Sequence, residues 1–493
     1  MKPADNMNVL DSIISFFSPS WGLRREVARQ TLSRAQERAY EAAAYGRRTS
    51  NWWASGSSAT TEAGAAIKRL RDRSREMVRN NQWANKAVSV IANNVVGTGI
   101  RPAVSIANDN ARTKKLAKRI KAEWNKWADN SKCDFDGRLN FYGLQNLIMR
   151  AVAESGECLI VKYVDAKTQT LKIRLLEADY IDHNKHTVGQ EGRGQDFDFY
   201  GVRFNKDGQR IGVWLYDRHP ENGSDTSTLY DESQVIHVFE VLRPGQARGV
   251  PMGVSGFLRL RDLNDYEDAQ LMRQKVAACF SVFVKKNGTG MPSSGGASAK
   301  ESELEAVEPG QIQYLELGED VVFGTPPPAD GYDSYMRTVL RGIAAGYGIT
   351  YEALTNDLSN VNFSSGRMGW LDYARTVAKQ QRDIMQPALE KVFEWFIGIL
   401  ALSQGISEQV VAEWTLPRRE MIDPVKETNA MILQIQAGLK SYSETLRELG
   451  YDPDDTMEEI KAFNDKADAL KLILSVDMRQ KLQQDKTAGS TTG

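Results

Sequence analysis

The feature of this sequence that most constrains its fold is a run of short β-strand patterns between residues 156 and 240. Apolar segments rich in β-branched residues are separated there by turn residues, and Asp207-Gly208 is typical of a hairpin turn. The predicted strands are residues 158–164, 171–176, 201–204, 211–216 and 235–239. Strands in such close succession are typical of antiparallel sheets, whereas parallel sheets alternate strands with helices. The run therefore predicts an antiparallel sheet within an α+β fold.

Two helical patterns rich in basic residues precede the predicted sheet. The first, residues 66–95, combines an apolar face with a basic face and ends at Gly97-Thr98-Gly99, a glycine signal for a helix C-terminus. Its basic face is formed by Arg69, Arg71, Arg73, Arg75 and Arg79. The second, residues 111–128, places lysines and arginines near Trp124 and Trp127. Such a pattern can bind nucleic acid, but it is also typical of a solvated helix face, and the sequence leaves both interpretations open.

After residue 250 the patterns are mostly helical, with one small β unit. Helices predicted over residues 257–278 and 332–345 enclose short strands, a Gly/Ser/Ala-rich segment and an acidic segment. The strands are predicted at residues 280–284, 311–315 and 321–323. A polar loop then leads into a long helix that ends near residue 402 and that Pro387 is expected to kink. Residues 406–480 are predicted to form helical hairpins, and residues 484–493 to be disordered.

Charge is distributed unevenly along the chain. Residues 1–127 carry 23 Lys and Arg against 10 Asp and Glu, while the remainder carries 40 against 54. The net charge of −1 therefore conceals a basic amino-terminal part and an acidic remainder. Packing of a hydrophobic core does not require such a division of charge. The division therefore reflects the properties of the protein's surfaces. It predicts a polyanionic partner, or pairing between oppositely charged faces of neighbouring subunits.

Membrane and secretion signals are not expected in this chain. No run of eighteen uncharged apolar residues occurs, so we predict no membrane span. The apolar residues 10–17 are interrupted by Asp11 and lack a clean cleavage site, which argues against a secretory signal. Three widely spaced cysteines, Cys133, Cys158 and Cys279, predict a reduced intracellular protein without a disulfide framework.

Patterns for catalysis or for a bound cofactor are missing. Neither GxxxxGK[ST] nor GxGxxG occurs, and His183 and His186 are accompanied by neither CxxC nor HExxH. A nuclease, the competing enzyme class, would need carboxylates clustered around two metal ions. The acidic groups that could serve, Asp134 with Asp136 and Asp452 with Asp454 and Asp455, occur in turn contexts with Pro or Gly. We therefore predict no catalytic residue, no cofactor and no metal site.

Seven segments resemble the lambda-type phage portal family. The most specific is VFEVLRPGQARGVP at residues 238–251. The others are RSREMVRNNQWANKAVSVIANNVVGTGI at 73–100, ESGECLIVKY at 154–163 with the preceding Phe135, LEADYID at 176–182, LELGEDVVFGTPPP at 315–328, GITYEALTNDLSNVNFSSGR at 348–367 and WTLPRREMIDPVKETNA at 414–430. Their order and spacing match the family over roughly residues 30–455.

This resemblance implies a portal fold, in which a helical stem, an antiparallel β wing sheet, a small β clip and a helical crown assemble as a ring. It implies the following boundaries: an irregular amino-terminal arm, 1–66; the wing, 67–255; the first stem helix, 256–284; the clip, 285–332; the second stem helix, 333–354; a tunnel loop, 355–366; a long wing helix, 367–410; the crown, 411–480; and a tail, 481–493.

The resemblance also implies a function and its partners. A portal ring, usually a dodecamer, forms the channel at one capsid vertex through which DNA is packaged and ejected. The implied partners are other copies of the chain, double-stranded DNA without sequence preference, the terminase large subunit, head-completion or connector proteins, the major capsid protein and a scaffold. Such a protein is assembled in the host cytoplasm and resides in the virion. The alternative is another oligomeric protein of the head–tail junction or a minor capsid protein.

The polar loop is the candidate DNA-channel site. A channel that passes DNA of any sequence must contact phosphates rather than base edges. Neutral donors suit contacts weak enough for sliding, and Asp357 would repel phosphate. The candidate residues are Asn356, Ser359, Asn360, Asn362, Ser364, Ser365 and Arg367. The alternative is an ordinary loop in which Ser364 or Ser365 caps the next helix.

Two further groups of residues are predicted to contact protein partners. Candidate subunit contacts are Trp52 and Trp53 beside the amino-terminal linker, Arg243, Gln246 and Arg248 before the first stem helix, and Asp262, Asp265 and Arg273 within it. Candidate residues for docking of the motor at the clip are Glu301, Glu303, Glu305 and Glu308. Opposite charges along packed helices suit contacts between ring neighbours, but they suit a solvated helix equally well.

Overall fold

A computed structural model describes most of the chain. The described residues are 27, 47, 50–52, 54–107, 110–187, 194–223, 226–279, 283–286, 319–322, 331–417, 421 and 423–472. The chain divides into two compact units, Met1–Ser58 and Ala59–Gly493, and the sheets and the hydrophobic core lie in the second. Several predictions fall outside the described residues: most of the amino-terminal arm, Trp53, the strand at 311–315, the four clip glutamates and the tail.

Four helices dominate the amino-terminal part of the second unit. The helix predicted over 66–95 is in fact two, α1 (Ala59–Asn80) and α2 (Gln82–Val96). The break occurs at Asn81, whose extended backbone and side-chain oxygen cap α2 by accepting two backbone N–H bonds at 2.8 and 3.0 Å. Helix α3 (Ala111–Ala128) confirms the prediction, and α4 (Phe141–Ser155) is a further helix that the sequence patterns did not single out.

The central region is antiparallel, as predicted, but it forms two sheets rather than one. In the first sheet β2 (Glu157–Val164) lies between β3 (Leu171–Glu177) and β8 (Val235–Phe239). Pairing of Cys158 with Glu177 on one side and with Val238 on the other sets the register. The central strand β2 is therefore hydrogen-bonded on both edges, which places its amino-terminal half in the core.

The second sheet has four strands in sequence order. They are β4 (Phe197–Phe199), β5 (Val202–Phe204), β6 (Arg210–Tyr216) and β7 (Ser227–Asp231). The sequence patterns missed β4 and β7, because β4 is three residues long and β7 is polar and exposed for most of its length. A bridge between Ile181 and Leu215 joins this sheet to the segment that follows β3.

A long-range strand pair corrects the prediction that residues 406–480 are entirely helical. Strand β1 (Arg101–Ile106) pairs antiparallel with β11 (Val410–Thr415), with Arg101 opposite Thr415. The two β-branched valines at the start of β11 favour a strand, and β1 supplies its hydrogen-bonding partner from about 300 residues earlier in the chain. The carboxyl-terminal segment is therefore tied by this ladder to the amino-terminal helices.

The region predicted to be the stem and clip contains two packed helices and a small β pair. Helix α5 (Phe257–Cys279) packs against α6 (Tyr332–Tyr347), and Leu260, Leu263, Leu340 and Ile343 are buried between these helices and the core. Between them in sequence, β9 (Phe283–Lys286) pairs antiparallel with β10 (Glu319–Val322). The predicted strands at 280–284 and 321–323 overlap this pair at residues 283–284 and 321–322, and their other residues lie outside the described part of the chain.

The carboxyl-terminal half continues with helices. Helix α7 (Tyr351–Thr355) is followed by α8 (Phe363–Gln380) and, after a π-helical turn at Gln381–Met385, by α9 (Gln386–Gln404). The turn immediately precedes Pro387, which has no N–H to donate, so the interruption lies at the predicted kink. Beyond β11 come α10 (Pro424–Gln436), α11 (Tyr442–Glu448) and α12 (Pro453–Ala469). None of the described helices is long and apolar enough to cross a membrane.

The main core is built around Trp124 of α3, which is 0% exposed. Its ring lies between 4.9 and 5.2 Å from those of Trp127, Phe141, Phe393 and Phe396, mostly in edge-on or tilted contacts. The core thus joins α3, α4 and α9. Because Trp124 is fully enclosed, it cannot stack on a nucleotide base, which corrects the nucleic-acid interpretation for this aromatic residue.

Candidate functional site

The polar loop between α7 and α8 is held by its own side chains. Asp357 accepts hydrogen bonds from the backbone N–H of Ser359 at 3.0 Å, from the Ser359 hydroxyl at 2.5 Å and from the Tyr351 hydroxyl at 3.1 Å. Hydrogen bonds from Ser359 and Tyr351 hold the pKa of Asp357 below its usual range. The carboxylate is therefore ionised at neutral pH, in keeping with its predicted role of repelling phosphate, and it stabilises the turn.

The helix after the loop is capped by Asn362, which corrects the expectation that Ser364 or Ser365 is the N-cap. The Asn362 side-chain oxygen accepts from Ser365 N at 2.8 Å, and the Ser365 hydroxyl accepts from Asn362 N at 3.1 Å. This reciprocal capping box occupies both side chains. Ser364 lies in the first turn of α8. Asn362 and Ser365 therefore shape the loop rather than offering free hydrogen-bonding groups.

Four other predicted loop residues keep their side chains free. Asn356, Asn360, Ser364 and Arg367 are exposed, and no side-chain hydrogen bond or ion pair joins them to the part of the chain that the structure describes. Asn356 has φ +57°, a left-handed conformation that asparagine adopts more readily than most residues. The loop thus presents amide, hydroxyl and guanidinium donors to the solvent. Such donors can bind phosphate oxygens without reading base edges.

The segment before α5 is folded back on its own chain. Gln246 accepts from the backbone N–H groups of Leu242 at 2.8 Å and Arg243 at 3.2 Å, and donates to the carbonyls of Glu240 and Arg248. The Arg243 guanidinium forms an ion pair with Glu62 at 2.6 Å. Within one chain, Gln246 closes a turn and Arg243 ties this segment to α1. Both side chains were predicted as subunit contacts, and that role stays a prediction.

Arg248, the third residue of that predicted set, is buried. Its side chain is 1% exposed, and its guanidinium donates to Glu157 through Nε at 3.0 and 3.2 Å and through Nη2 at 2.5 Å. Nη1 donates to the carbonyl of Tyr200 at 2.6 Å. A neighbouring subunit cannot reach this guanidinium, so the prediction of a subunit contact at Arg248 is wrong. No sequence pattern indicated that Arg248 and Glu157, 91 positions apart, form a buried pair.

Glu157 is the centre of a buried charge network that the sequence analysis missed. Besides Arg248, it contacts His237 Nε2 at 2.7 Å and accepts from Gly249 N at 3.1 Å, and Arg71 Nη1 lies 3.6 Å away. Burial opposes ionisation, but the charge of Arg248 and the hydrogen bond from His237 hold the pKa of Glu157 well below its usual range. Burial lowers the pKa of His237 to about 4, so this imidazole is neutral at pH 7 and donates through Nε2.

The network continues along α1, which corrects the view of its arginines as a simple basic face. Arg71 pairs with Asp179 at 2.9 Å, and Arg75 pairs with the same carboxylate at 2.7 Å and hydrogen-bonds the Ser155 hydroxyl at 3.0 Å. The side chain of Arg71 is 6% exposed. Two of the five predicted basic-face residues therefore hold α1 against the first sheet. They are not available to nucleic acid.

The described histidines do not form a convincing metal site. His183 and His186 stack on either side of Tyr200, with ring centroids 4.7 and 4.1 Å from it. Glu177, Asp179 and His219 come close enough together to share an ion. Both carboxylates are already paired with Arg75, whose positive charge disfavours a bound cation. The chemistry of this cluster is that of an ion-paired network.

Helix α3 is attached to the carboxyl-terminal segment by ion pairs. Lys121 lies between Asp452 at 2.5 Å and Asp455 at 2.7 Å, and Lys118 pairs with Glu458. Burial opposes the charge of Lys121, but the hydrogen bonds that it donates to the two aspartates outweigh burial and raise its pKa, which keeps it charged. The acidic start of α12 thus docks on the basic α3. Part of the charge asymmetry of the sequence is therefore explained by ion pairs between the basic amino-terminal part and the acidic carboxyl-terminal part of the same chain.

The remaining predicted contact residues lie on the surface or outside the described residues. Asp262 and Asp265 are exposed on α5, and Arg273 is half-buried near its carboxyl end. Trp52 is 65% exposed. Trp53 and the clip glutamates are not among the described residues. Exposure leaves these side chains accessible to a partner, but their role as contacts stays a prediction.

Together the fold and the loop define a structural protein whose surfaces are suited to macromolecular contacts. The model of the lambda family of phage portal proteins matches residues 45–381 of the chain, which is more than half of its length. The chain therefore belongs to the lambda family of phage portal proteins. This confirms the predicted family and, because portal proteins are structural rather than enzymatic, the prediction that the protein is not an enzyme.

Curated relatives are consistent with this assignment. The chain is 24% identical over 420 residues to the probable portal protein of Halomonas phage phiHAP-1, a match that covers 79% of each chain. It is 22% identical over 434 residues to portal protein B of Escherichia phage lambda, which covers 77% of this chain and 80% of the relative. Among solved structures, a chain from the virion of a native gene transfer agent particle is 14% identical, with a TM-score of 0.46, and the match covers 79% of this chain and 94% of that one.

Proposed function

We propose that this protein forms the ring-shaped DNA channel at one vertex of a phage capsid. In this proposal twelve copies assemble in the host cytoplasm and become part of the virion. The ring packages DNA, joins head to tail and releases the DNA at ejection. Within each subunit, α5 and α6 serve as the stem, the segment between them as the clip, and α10 to α12 as the crown. The family match over residues 45–381 is the observation that carries the proposal.

The polar loop supports a role in guiding DNA through the ring. The free donors of Asn360 in the loop and of Ser364 and Arg367 in the first turns of α8 are exposed, whereas Asp357 of the loop stays ionised. Attraction to phosphate is thereby limited to a few weak contacts, and the nearby carboxylate opposes tight binding. Such a surface suits DNA that must slide. A loop built to grip would concentrate positive charge.

Other partners of the ring are proposed from the family assignment. The clip would dock the terminase large subunit during packaging and the head-completion or connector proteins afterwards. The wing would contact the major capsid protein, with a scaffold present during assembly. The acidic residues Glu301, Glu303, Glu305 and Glu308 are proposed to face the motor. Substituting all four with Gln should weaken pull-down of the terminase large subunit while leaving ring formation intact.

The decisive experiment combines ring imaging with packaging. Electron microscopy of the purified wild-type protein should show closed rings with a central channel at least about as wide as duplex DNA, roughly 20 Å as its groove dimensions imply. A variant with Asn360→Ala, Ser364→Ala and Arg367→Gln should form the same rings but package shorter DNA in infected cells or extracts. A Lys206→Ala variant in the exposed hairpin turn is the matched control and should package normally.

The results of these experiments distinguish a DNA channel from the alternative, another protein of the head–tail junction. Intact rings with full-length packaging by the triple variant would refute guidance by the loop but leave the portal role. Rings that support capsid completion yet are dispensable for packaging would instead indicate another protein of the head–tail junction. Asn362 is left unchanged, because its loss would remove the cap of α8 and confuse a folding defect with a channel defect.

A further inference from the structure

The outer face of α3 carries a stripe of basic residues that the proposed channel does not use. Lys115, Arg119 and Lys126 are all exposed on this helix. With 3.6 residues per turn they fall within an arc of about 40° on one face, and Trp124 points to the opposite side. We call these three residues the basic stripe. Its ends are separated by 11 residue steps, or about 16 Å along the helix axis at 1.5 Å per residue.

The residues of the basic stripe differ from the paired cations of the same helix. Lys118 and Lys121 form ion pairs with acidic residues at the start of α12, and Arg112 lies 3.3 Å from Glu408. By contrast, no ion pair within the described part of the chain involves a residue of the basic stripe. The three cations of the stripe are therefore not used to attach the carboxyl-terminal segment.

Folding does not account for this concentration of charge. Residues 111–128 contain seven Lys and Arg and one acidic residue. Lys115 and Arg119 are spaced i,i+4, a spacing at which like charges destabilise a helix. The helix tolerates this repulsion because its inner face is anchored by Ile120, Trp124 and Ala128, each 0% exposed. A bound polyanion would relieve the repulsion.

The chemistry of the stripe favours DNA over an acidic protein surface. Protein interfaces combine a polar rim with an apolar core, and the only apolar residue exposed between the three cations is Ala122. Interfaces with DNA are polar and positively charged. A stripe of about 16 Å exceeds the major-groove width of about 12 Å, so its ends can reach phosphates on both sides of a groove.

We propose that the basic stripe of α3 is a second surface for duplex DNA, separate from the polar loop, which binds phosphates without reading sequence. This inference rests on the proposed function in one respect: its ligand is the DNA that passes through the proposed channel. The rigid anchoring of α3 fixes the three charges in place before DNA binds. Their number is small enough for weak, salt-sensitive binding rather than a tight complex.

The test measures binding of full-length protein to a fluorescent random-sequence duplex of 30 base pairs at a series of salt concentrations. A K115Q/R119Q/K126Q variant should bind more weakly than wild type. The slope of log affinity against log salt should shrink by roughly one for each lost phosphate contact, or about three per bound subunit. Thermal unfolding should show an unchanged or higher midpoint, because the variant removes repulsion and no ion pair.

A K167Q/K206Q/K461Q variant is the control, since it removes three exposed lysines that have no ion pair within the described residues. It should retain the wild-type slope. Equal slopes for the wild type and the stripe variant, or an equal loss in the control, would overturn the proposal, as would a wild type that binds no DNA. The packaging assay on the loop variant separates this proposal from the proposed function. If the stripe variant binds DNA normally while the loop variant packages shorter DNA, the role of the basic stripe is refuted and the channel function stands.

Discussion

At Glu157 a single carboxylate is enclosed by residues from three separate segments. Arg248, His237, Gly249 and Arg71 surround it, and none of its surface is exposed. Burial of such a charge is costly unless its hydrogen-bonding capacity is filled, and here both oxygens are occupied. The carboxylate therefore joins α1, the first sheet and the segment that leads into the stem.

Removing this charge should be strongly destabilising. Glu157→Gln leaves the buried guanidinium of Arg248 without its counter-charge, which should cost about 3–5 kcal/mol of unfolding free energy. Denaturant unfolding followed by circular dichroism measures this change. Glu177→Gln is the matched control, because its carboxylate is 60% exposed and its ion pair should contribute little. Equal stability of the two variants would contradict this account of the network.

His237 should make the fold sensitive to acid. An unfolded histidine titrates near pH 6.5, whereas burial lowers the pKa of His237 to about 4. As pH falls through this window the unfolded state takes up a proton that the folded state excludes, so stability is present above about pH 6.5 and is lost toward pH 4. His237→Gln keeps a donor for Glu157 and should flatten the decline between about pH 7 and pH 5. Identical pH profiles of unfolding free energy for the two proteins would rule out this role.

Among the elements, α3 is fixed from two sides by different forces. Its inner face is buried in the aromatic core around Trp124, whereas one flank is attached to α12 by ion pairs of Lys118 and Lys121. The carboxyl-terminal helices have little core of their own: no residue of α10 is buried, and α12 buries only Pro453 and Ala467. Their attachment to the rest of the chain therefore depends on charge and on the β1–β11 ladder.

This attachment should loosen when the central lysine is removed. Lys121→Ala leaves Asp452 and Asp455 without their shared cation and should speed proteolytic cleavage between β11 and α10 several-fold. High salt should have a smaller effect of the same kind on the wild type, because it screens the exposed Lys118–Glu458 pair more than the shielded Lys121 pair. Limited proteolysis followed by mass spectrometry checks both expectations. Lys126→Ala, on the same helix but without an ion pair among the described residues, should be cleaved like the wild type.

Across the unit that begins at Ala59, α5, α6, the first sheet and α9 share one core, whereas the second sheet packs on β2 in a smaller cluster. The segment from Glu240 to Pro251 runs from the first sheet to α5, and it is held by Gln246, Arg248 and the ion pair of Arg243. Arg248 thereby links the Glu157 network to the residues that lead into α5. At this scale, the packaging experiment on the polar loop tests the proposed function of the molecule as a DNA channel.

Local sequence patterns predicted those elements that local interactions form. The helix at Ala111–Ala128 has a capping asparagine and a strong apolar face, so its bounds were predicted correctly. The central strands were placed within a residue or two because their residues alternate between turns and β-branched runs. The polar loop was predicted over residues 355–366, but it is shorter, because α8 begins at Phe363. The N-cap of α8 was not predicted correctly, because serine and asparagine compete equally for that position and the backbone geometry decides between them.

The family, the α+β class, the order of most elements and the position of the polar loop all follow from the residues without any coordinates. Three features required the folded chain: the pairing of β11 with β1, the division of the wing into two sheets, and the inward direction of Arg71 and Arg248. The physical reason is that these contacts join residues far apart in sequence. The hydrogen-bonding groups of a strand edge, or the charge of a side chain, pair with whichever partner the fold brings near them. Glu157 and Arg248 are 91 positions apart, and no local pattern in either segment records that they meet.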